Sequence, residues 1–119
     1  MSPDADDRIK EIIELSRLYD VYGGLLSDNN RVVFEDYVLN NYSLAEIAEE
    51  VDISRQGVRD TVMRCSAKLR DYEQRLGLLA RFNETDSVLD SIERMIAAGN
   101  MDSDKLLSLV RKAKDTLEG

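Results

Sequence analysis

Three polar side chains that could read nucleic-acid bases lie close together near the middle of the chain. Arg55 and Gln56 are neighbours, and Arg59 follows at the spacing of about one helical turn. In the major groove of DNA, arginine donates two hydrogen bonds to guanine and glutamine pairs with adenine. Two further cations, Arg64 and Lys68, could contact phosphates. The sequence therefore predicts a nucleic-acid-binding site at Arg55, Gln56, Arg59, Arg64 and Lys68.

The residues before this cluster predict a capped helix, a tight turn and a second helix. Ser43 and Glu46 have the spacing of a capping box, so a helix should begin at Leu44. Asp52 follows this helix at a turn position, where aspartate tolerates a positive φ. Ser54 is then placed to cap the second helix. This order is typical of a helix-turn-helix.

The apolar residues of this segment have the matching helical period. One face of the first helix carries Leu44, Ile47, Ala48 and Val51, and the second helix contributes Val58 and Val62. Packing of these faces leaves Arg55, Gln56 and Arg59 directed outward, as on a recognition helix. The alternative is an ordinary helical hairpin whose polar face is only solvated.

The residue types that most enzymes use are scarce in this chain. There is no histidine, so the usual proton shuttle and the commonest metal ligand are missing. Cys65 lies at an apolar position without an obvious base and is predicted to be a core thiol. No glycine-rich phosphate loop is present. We therefore predict a binding protein that is not an enzyme and that needs no metal or cofactor.

Length and composition favour one small all-α protein. The 119 residues include a single proline, Pro3, and show no strand-like alternation. No apolar run is long enough to span a membrane, and the N-terminus is acidic where a signal peptide would be basic. A lone cysteine fits a reducing compartment. The predicted location is the cytoplasm.

The helical pattern predicts about six helices in two regions. The first region, 1–82, contains the helix-turn-helix and ends with a long, unbroken fourth helix over about 55–82. A predicted break at 83–86 separates it from a C-terminal helical hairpin within 83–119, with helices at about 87–98 and 103–117. We expect a helix-turn-helix bundle that carries this long helix and hairpin.

The distal half of the long helix has an apolar seam that the helix-turn-helix core is too short to cover. Its members, Leu69, Tyr72, Leu76 and Leu79, recur at coiled-coil spacing. The first helix, the C-terminal tail or a second copy could cover them. A homodimer through this seam is the prediction, and a bundle within one chain is the alternative.

The charge distribution limits simple DNA binding. The net charge is −8, whereas affinity for phosphates depends largely on basic residues that release counterions. Residues 55–82 nevertheless carry seven basic and three acidic side chains, a local charge of +4. An acidic chain fits a protein partner, or an RNA already bound by a basic protein, better than naked DNA.

Several short motifs between Leu18 and Phe82 together resemble the YlxM family of small bacterial proteins. They are Leu18-Tyr19-Asp20-Val21-Tyr22-Gly23, Leu25-Leu26-Ser27, Tyr42-Ser43-Leu44-Ala45-Glu46-Ile47-Ala48, Ser54-Arg55-Gln56, Asp71-Tyr72-Glu73 and Leu76-Gly77-Leu78-Leu79. The resemblance covers roughly half of the chain. It implies a fold like the fourth conserved region of sigma factors or a winged helix. It also implies genes beside those of the signal recognition particle and an accessory or regulatory role in that pathway.

This chain departs from the family pattern directly after Ser54-Arg55-Gln56. The residues are Gly57-Val58-Arg59, where the family often has Ala-Val-Tyr. A cation replaces an aromatic side chain on the outer face, which favours nucleic acid. Two hypotheses follow: an accessory protein that binds the particle's protein or RNA, or a dimeric DNA-binding transcriptional regulator.

Overall fold

The computed structural model describes residues 3–119, with the side chains of residues 6–119, and this part of the chain is all-α. It contains six α-helices, a short 3-10 turn at Gly23–Leu25 and no β-strand. The helices are α1 (Pro3–Tyr22), α2 (Asp28–Val38), α3 (Leu44–Val51), α4 (Arg55–Leu76), α5 (Leu78–Ala97) and α6 (Ser103–Glu118). The predicted all-α class is confirmed.

The capping residues between α2 and α4 act as the sequence predicts. Ser43 Oγ accepts from the Glu46 amide at 3.1 Å, and the Glu46 carboxylate accepts from the Ser43 amide at 3.2 Å. Asp52 ends α3 in the left-handed region with φ 57°. Ser54 Oγ accepts from the Gly57 amide at 2.9 Å, which satisfies a free donor in the first turn of α4.

The first compact unit ends at Leu76, and its core joins α2, α3 and α4. Four buried side chains form the centre, and partly buried apolar residues from α2 and α3 surround them. The buried four are Val33, Ile47, Val58 and Val62; around them pack Tyr37, Leu44, Ala48 and Val51. The α3 face predicted from helical period is therefore the face that packs.

Helix α1 covers the part of α4 beyond this core. Leu15 and Leu18 of α1 are buried, as are Cys65 and Leu69 of α4. Tyr22 Oη donates to Glu73 Oε1 at 2.6 Å, and its ring lies 5.9 Å from that of Tyr72. Helix α1 thus covers much of the apolar seam, for which the sequence allowed three possible partners.

The fourth helix is shorter than predicted. It ends at Leu76, because Gly77 adopts φ 65°, a left-handed conformation that costs glycine little. The predicted break at 83–86 is wrong, since those residues lie inside α5. The chain consequently divides at Gly77, and not at 83. With 22 residues, α4 is about 33 Å long.

The second compact unit runs from Gly77 to Gly119 and is a hairpin of α5 and α6. The Asp102 carboxylate caps α6 by accepting from the Lys105 amide at 3.2 Å. Gly99 lies in the connection between α5 and α6 with φ 75°. Only Val88 and Ala113 are buried within this unit.

Replacement of Ser43 by alanine should lower the free energy of unfolding by about 1 kcal/mol, because the capping box loses its acceptor. Ser27→Ala is the matched control. Ser27 occupies the same position before α2, but its side chain makes no capping hydrogen bond. Urea unfolding followed by circular dichroism measures both variants. Equal losses would contradict a specific role for the Ser43 cap.

Candidate nucleic-acid interface

The first two turns of α4 present their polar side chains to solvent. Arg55, Gln56 and Arg59 are all exposed, whereas Val58 and Val62 are buried. The N-terminus of α4 is also capped and positioned by α3, so these side chains project from a fixed backbone. This is the display that a recognition helix requires.

Two of these side chains are arginines without a partner among the described residues. Neither Arg55 nor Arg59 forms a hydrogen bond or an ion pair there. Gln56 differs, since its Nε2 donates to Asp60 Oδ1 at 2.9 Å. The two guanidinium groups can therefore meet a ligand directly. To contact a ligand, the Gln56 side-chain amide must first give up its hydrogen bond to Asp60.

The five predicted contact residues do not form one continuous patch. A helix turns about 100° per residue, so Arg64 lies about 140° around α4 from Arg59, and Lys68 is further round. Arg64 also donates to Thr61 Oγ1 at 3.3 Å. Arg55 and Arg59 thus lie near one border of the exposed face of α4, and Arg64 and Lys68 lie toward the opposite border.

A groove lies beside Arg59 within the first unit. Its volume is about 520 Å³, and α1, α2, α3 and α4 all contribute to its walls. Two arginines that the prediction missed line it, Arg8 and Arg70. Arg8 comes from the acidic N-terminal segment, so no local sequence signal connects it with α4. Only the packing of α1 on α4 brings it close.

The two additional arginines differ from Arg59 in their partners. Arg70 forms ion pairs with Glu11 at 3.5 Å and with Glu14 at 3.3 Å. Arg8 Nη2 donates to Tyr37 Oη at 3.5 Å. Both pairs are exposed contacts between neighbouring elements, and such contacts contribute little to stability. Among the described residues that line this groove, Arg59 is the arginine without a hydrogen bond or an ion pair.

Negative charge lies on the elements next to the interface. Glu46, Glu49 and Glu50 are exposed on α3, and Asp60 is exposed on α4. These carboxylates repel phosphates and restrict how closely a duplex can approach α3. The positive surface available to a polyanion is consequently narrow.

The four residues of the predicted seam have different environments. Leu69 is completely buried within the first unit, so it is not available to a second chain. Tyr72 is half-buried beside Tyr22. Leu76 is 48 % exposed at the end of α4, whereas Leu79 belongs to α5 because the helix breaks at Gly77. The seam is therefore not a continuous exposed stripe.

Cys65 is a core thiol, as predicted. It is fully buried, and this burial raises the pKa of the Cys65 thiol despite the opposing effect of the nearby Lys68 and Arg64. A neutral, enclosed thiol is a poor nucleophile. In the described residues no group of histidine, cysteine and carboxylate side chains is arranged to hold a metal ion.

The geometry defines this chain as a helix-turn-helix protein, and comparison with known proteins gives its family. Residues 9–110 match the family model UPF0122, described as "Putative helix-turn-helix protein, YlxM / p13 like". The chain belongs to this family, which confirms the resemblance found in the sequence.

Relatives from several bacteria have this family name. A UPF0122 protein of Thermoanaerobacter sp. (strain X514) is 48 % identical over 86 residues, 72 % of this chain and 74 % of the relative. One from Halalkalibacterium halodurans is 36 % identical over 110 residues, 92 % of this chain and 99 % of the relative. One from Listeria innocua is 34 % identical over 104 residues, 87 % and 88 % of the two chains.

None of the described helices has the length and apolar character needed to cross a lipid bilayer. The longest, α4, carries charged residues throughout its exposed side.

The burial of Cys65 predicts that the native protein reacts with a thiol reagent at least about tenfold more slowly than the protein in urea. A second consequence concerns pH. Burial raises the pKa of the Cys65 thiol in the folded protein. The neutral thiol therefore contributes its full stabilisation at pH values below the ordinary thiol pKa. This contribution is lost as the pH rises through the pKa of the folded protein. Reagent uptake followed by absorbance measures the first effect. Rapid, complete labelling of the native protein would contradict the assignment.

Proposed function

We propose that the protein binds nucleic acid through the first two turns of α4, as an accessory protein of the bacterial signal recognition particle pathway in the cytoplasm. The observation that carries the binding proposal is the pair Arg55 and Arg59. Both are exposed at the start of the second helix of a capped helix-turn-helix, without partners among the described residues. The pathway assignment is supported by the resemblance to the YlxM family.

The charge distribution favours RNA of the particle over naked duplex DNA as the ligand. The chain carries a net charge of −8, and the exposed glutamates of α3 lie directly before the basic turns of α4. A long duplex would extend past Arg55 and Arg59 and meet these carboxylates. An RNA whose phosphates are partly neutralised by a basic protein meets less repulsion. The acidic remainder of the chain could also contact such a basic protein.

The second candidate is a dimeric, sequence-specific DNA-binding transcriptional regulator. The position of Arg55, Gln56 and Arg59 at the N-terminal end of the second helix favours it, because recognition helices read bases from this end. In this case Gln56 exchanges its hydrogen bond with Asp60 for one to adenine. Two copies would then read half-sites separated by about one helical turn of DNA.

Arg55→Ala and Arg59→Ala should each weaken nucleic-acid binding by about 5- to 150-fold, which corresponds to about 1–3 kcal/mol. Arg75→Ala is the matched control. It removes the same charge from the far end of α4, where Arg75 pairs with Asp71 at 3.1 Å. Fluorescence anisotropy with labelled particle RNA and with duplex DNA measures all three variants. Equal affinity for the parent and the Arg55 and Arg59 variants would refute the proposed contact.

Capture from lysate separates the two candidate functions. The tagged full-length chain is incubated with bacterial lysate treated with ribonuclease, with deoxyribonuclease or with neither. The accessory function predicts recovery of signal recognition particle components, reduced by ribonuclease when RNA is the contact. Recovery of DNA fragments alone would refute it and support the regulator. Arg59→Glu should abolish operator binding in that second case, because it places a carboxylate against the bases.

A further inference from the structure

The groove beside Arg59 combines apolar walls with a positive charge. Its apolar wall residues come from three helices, and they are Ile12, Leu15, Leu44, Val62 and Met63. Its charged wall residues are three arginines and one glutamate, namely Arg8, Arg59, Arg70 and Glu11. The lining therefore has a formal charge of +2, although the whole chain carries −8. A ligand for this groove should combine an apolar body with a negative charge.

Small side chains keep the α4 wall of this groove open. The wall runs from Arg59 to Arg70, a length of about 16 Å. Ser66 and Ala67 occupy its middle, where neither side chain extends far from the helix. With a volume of about 520 Å³, the groove has the size of sites that enclose small organic ligands. A nucleobase is a flat group that fits a space of this size.

The arginines of the groove are not equally available to a ligand. Arg70 forms ion pairs with two glutamates of α1, at 3.5 and 3.3 Å, so much of its charge is already balanced. Arg8 donates one long hydrogen bond, of 3.5 Å, to the uncharged Tyr37 hydroxyl. Arg59 has no hydrogen bond or ion pair among the described residues. A negative group of a ligand is therefore best placed at Arg59.

An unpaired nucleotide matches this arrangement, because its base is flat and its phosphate lies only one sugar away. Proteins commonly hold unstacked RNA bases against aromatic rings and arginine guanidinium groups. Tyr37 and Arg8 supply one of each on the walls of the groove. An acidic peptide helix along the groove would instead pass the exposed carboxylates of Glu11 and Glu14, which repel it.

We infer that the groove receives one unpaired base of the bound RNA while Arg59 contacts the adjoining phosphate. The inference rests on the proposed function, because Arg59 belongs both to the groove and to the proposed RNA contact. It adds a specificity that contact with phosphates alone does not provide. A paired base stays within the stack of its duplex and cannot enter the groove. The protein therefore selects RNA with a bulge or a loop over a continuous duplex.

Fluorescence anisotropy with two short RNA duplexes tests the inference. The duplexes have the same sequence, and one of them contains a single bulged adenosine. The full chain should bind the bulged RNA about tenfold more tightly, which is within the range for stacking of one base on an aromatic side chain. Equal affinity for the two RNAs, or no binding of either, would refute the inference. The proposed function would still stand if particle RNA binds and Arg59→Ala weakens that binding.

A larger side chain in the groove should remove the preference for bulged RNA without changing the charge. Ala67→Trp fills the middle of the α4 wall and should abolish the roughly tenfold preference. Ala97→Trp changes another exposed alanine, on α5 in the second compact unit, and should keep it. A preference that survives Ala67→Trp would contradict the inference. Unchanged RNA binding with loss of a ribonuclease-resistant protein from lysate capture would assign the groove to a peptide and also overturn it.

A substitution on α1 keeps the test decisive if circular dichroism shows that Ala67→Trp alters the fold. Arg8→Ala removes a group on which the base stacks and should lower the preference by about three- to fivefold. Arg17→Ala removes the same charge from an exposed position of α1 outside the groove and should leave the preference unchanged. A general loss of positive charge weakens both RNAs alike and cancels in their ratio. The same ratio in both variants and the parent would contradict the inference.

Discussion

The contact of α3 with α4 is the constraint on which the interface depends. Ile47 and Val58 are completely buried where these helices meet, and their burial fixes the angle at which α4 leaves the turn. Ser43 and Ser54 satisfy amides at the two helix starts, and Asp52 supplies the left-handed turn between them. With this geometry fixed, Arg55 and Arg59 are exposed in the first two turns of α4.

Local sequence signals predicted this part of the molecule well because its determinants are local. A capping box needs two residues only three positions apart, and the buried face of α3 is set by apolar residues that recur at helical spacing within eight residues. The same reasoning predicted the wrong end for α4. A glycine inside a helix costs only about 1 kcal/mol. The regular apolar pattern alone therefore could not show that α4 ends before Gly77, which adopts a left-handed conformation.

Features that depend on distant parts of the chain could not be predicted in this way. Arg8 reaches the groove beside Arg59 only because α1 packs against α4. The burial of Leu69 has the same origin, since helical spacing identifies an apolar position without identifying what covers it. The sequence also placed Arg64 and Lys68 in one cationic cluster with Arg59, whereas helix rotation separates them. Assignment to the helix-turn-helix family did not depend on these details.

The proposed function is contact of the first unit with a polyanion. Its central claim is that the N-terminal turns of α4 make the contact. The most direct measurement is a titration of the isotopically labelled protein with particle RNA, followed by amide chemical shifts in nuclear magnetic resonance spectra. The account predicts that the largest shifts occur from Arg55 to Asp60. Shifts confined to other helices, with these amides unchanged, would contradict it.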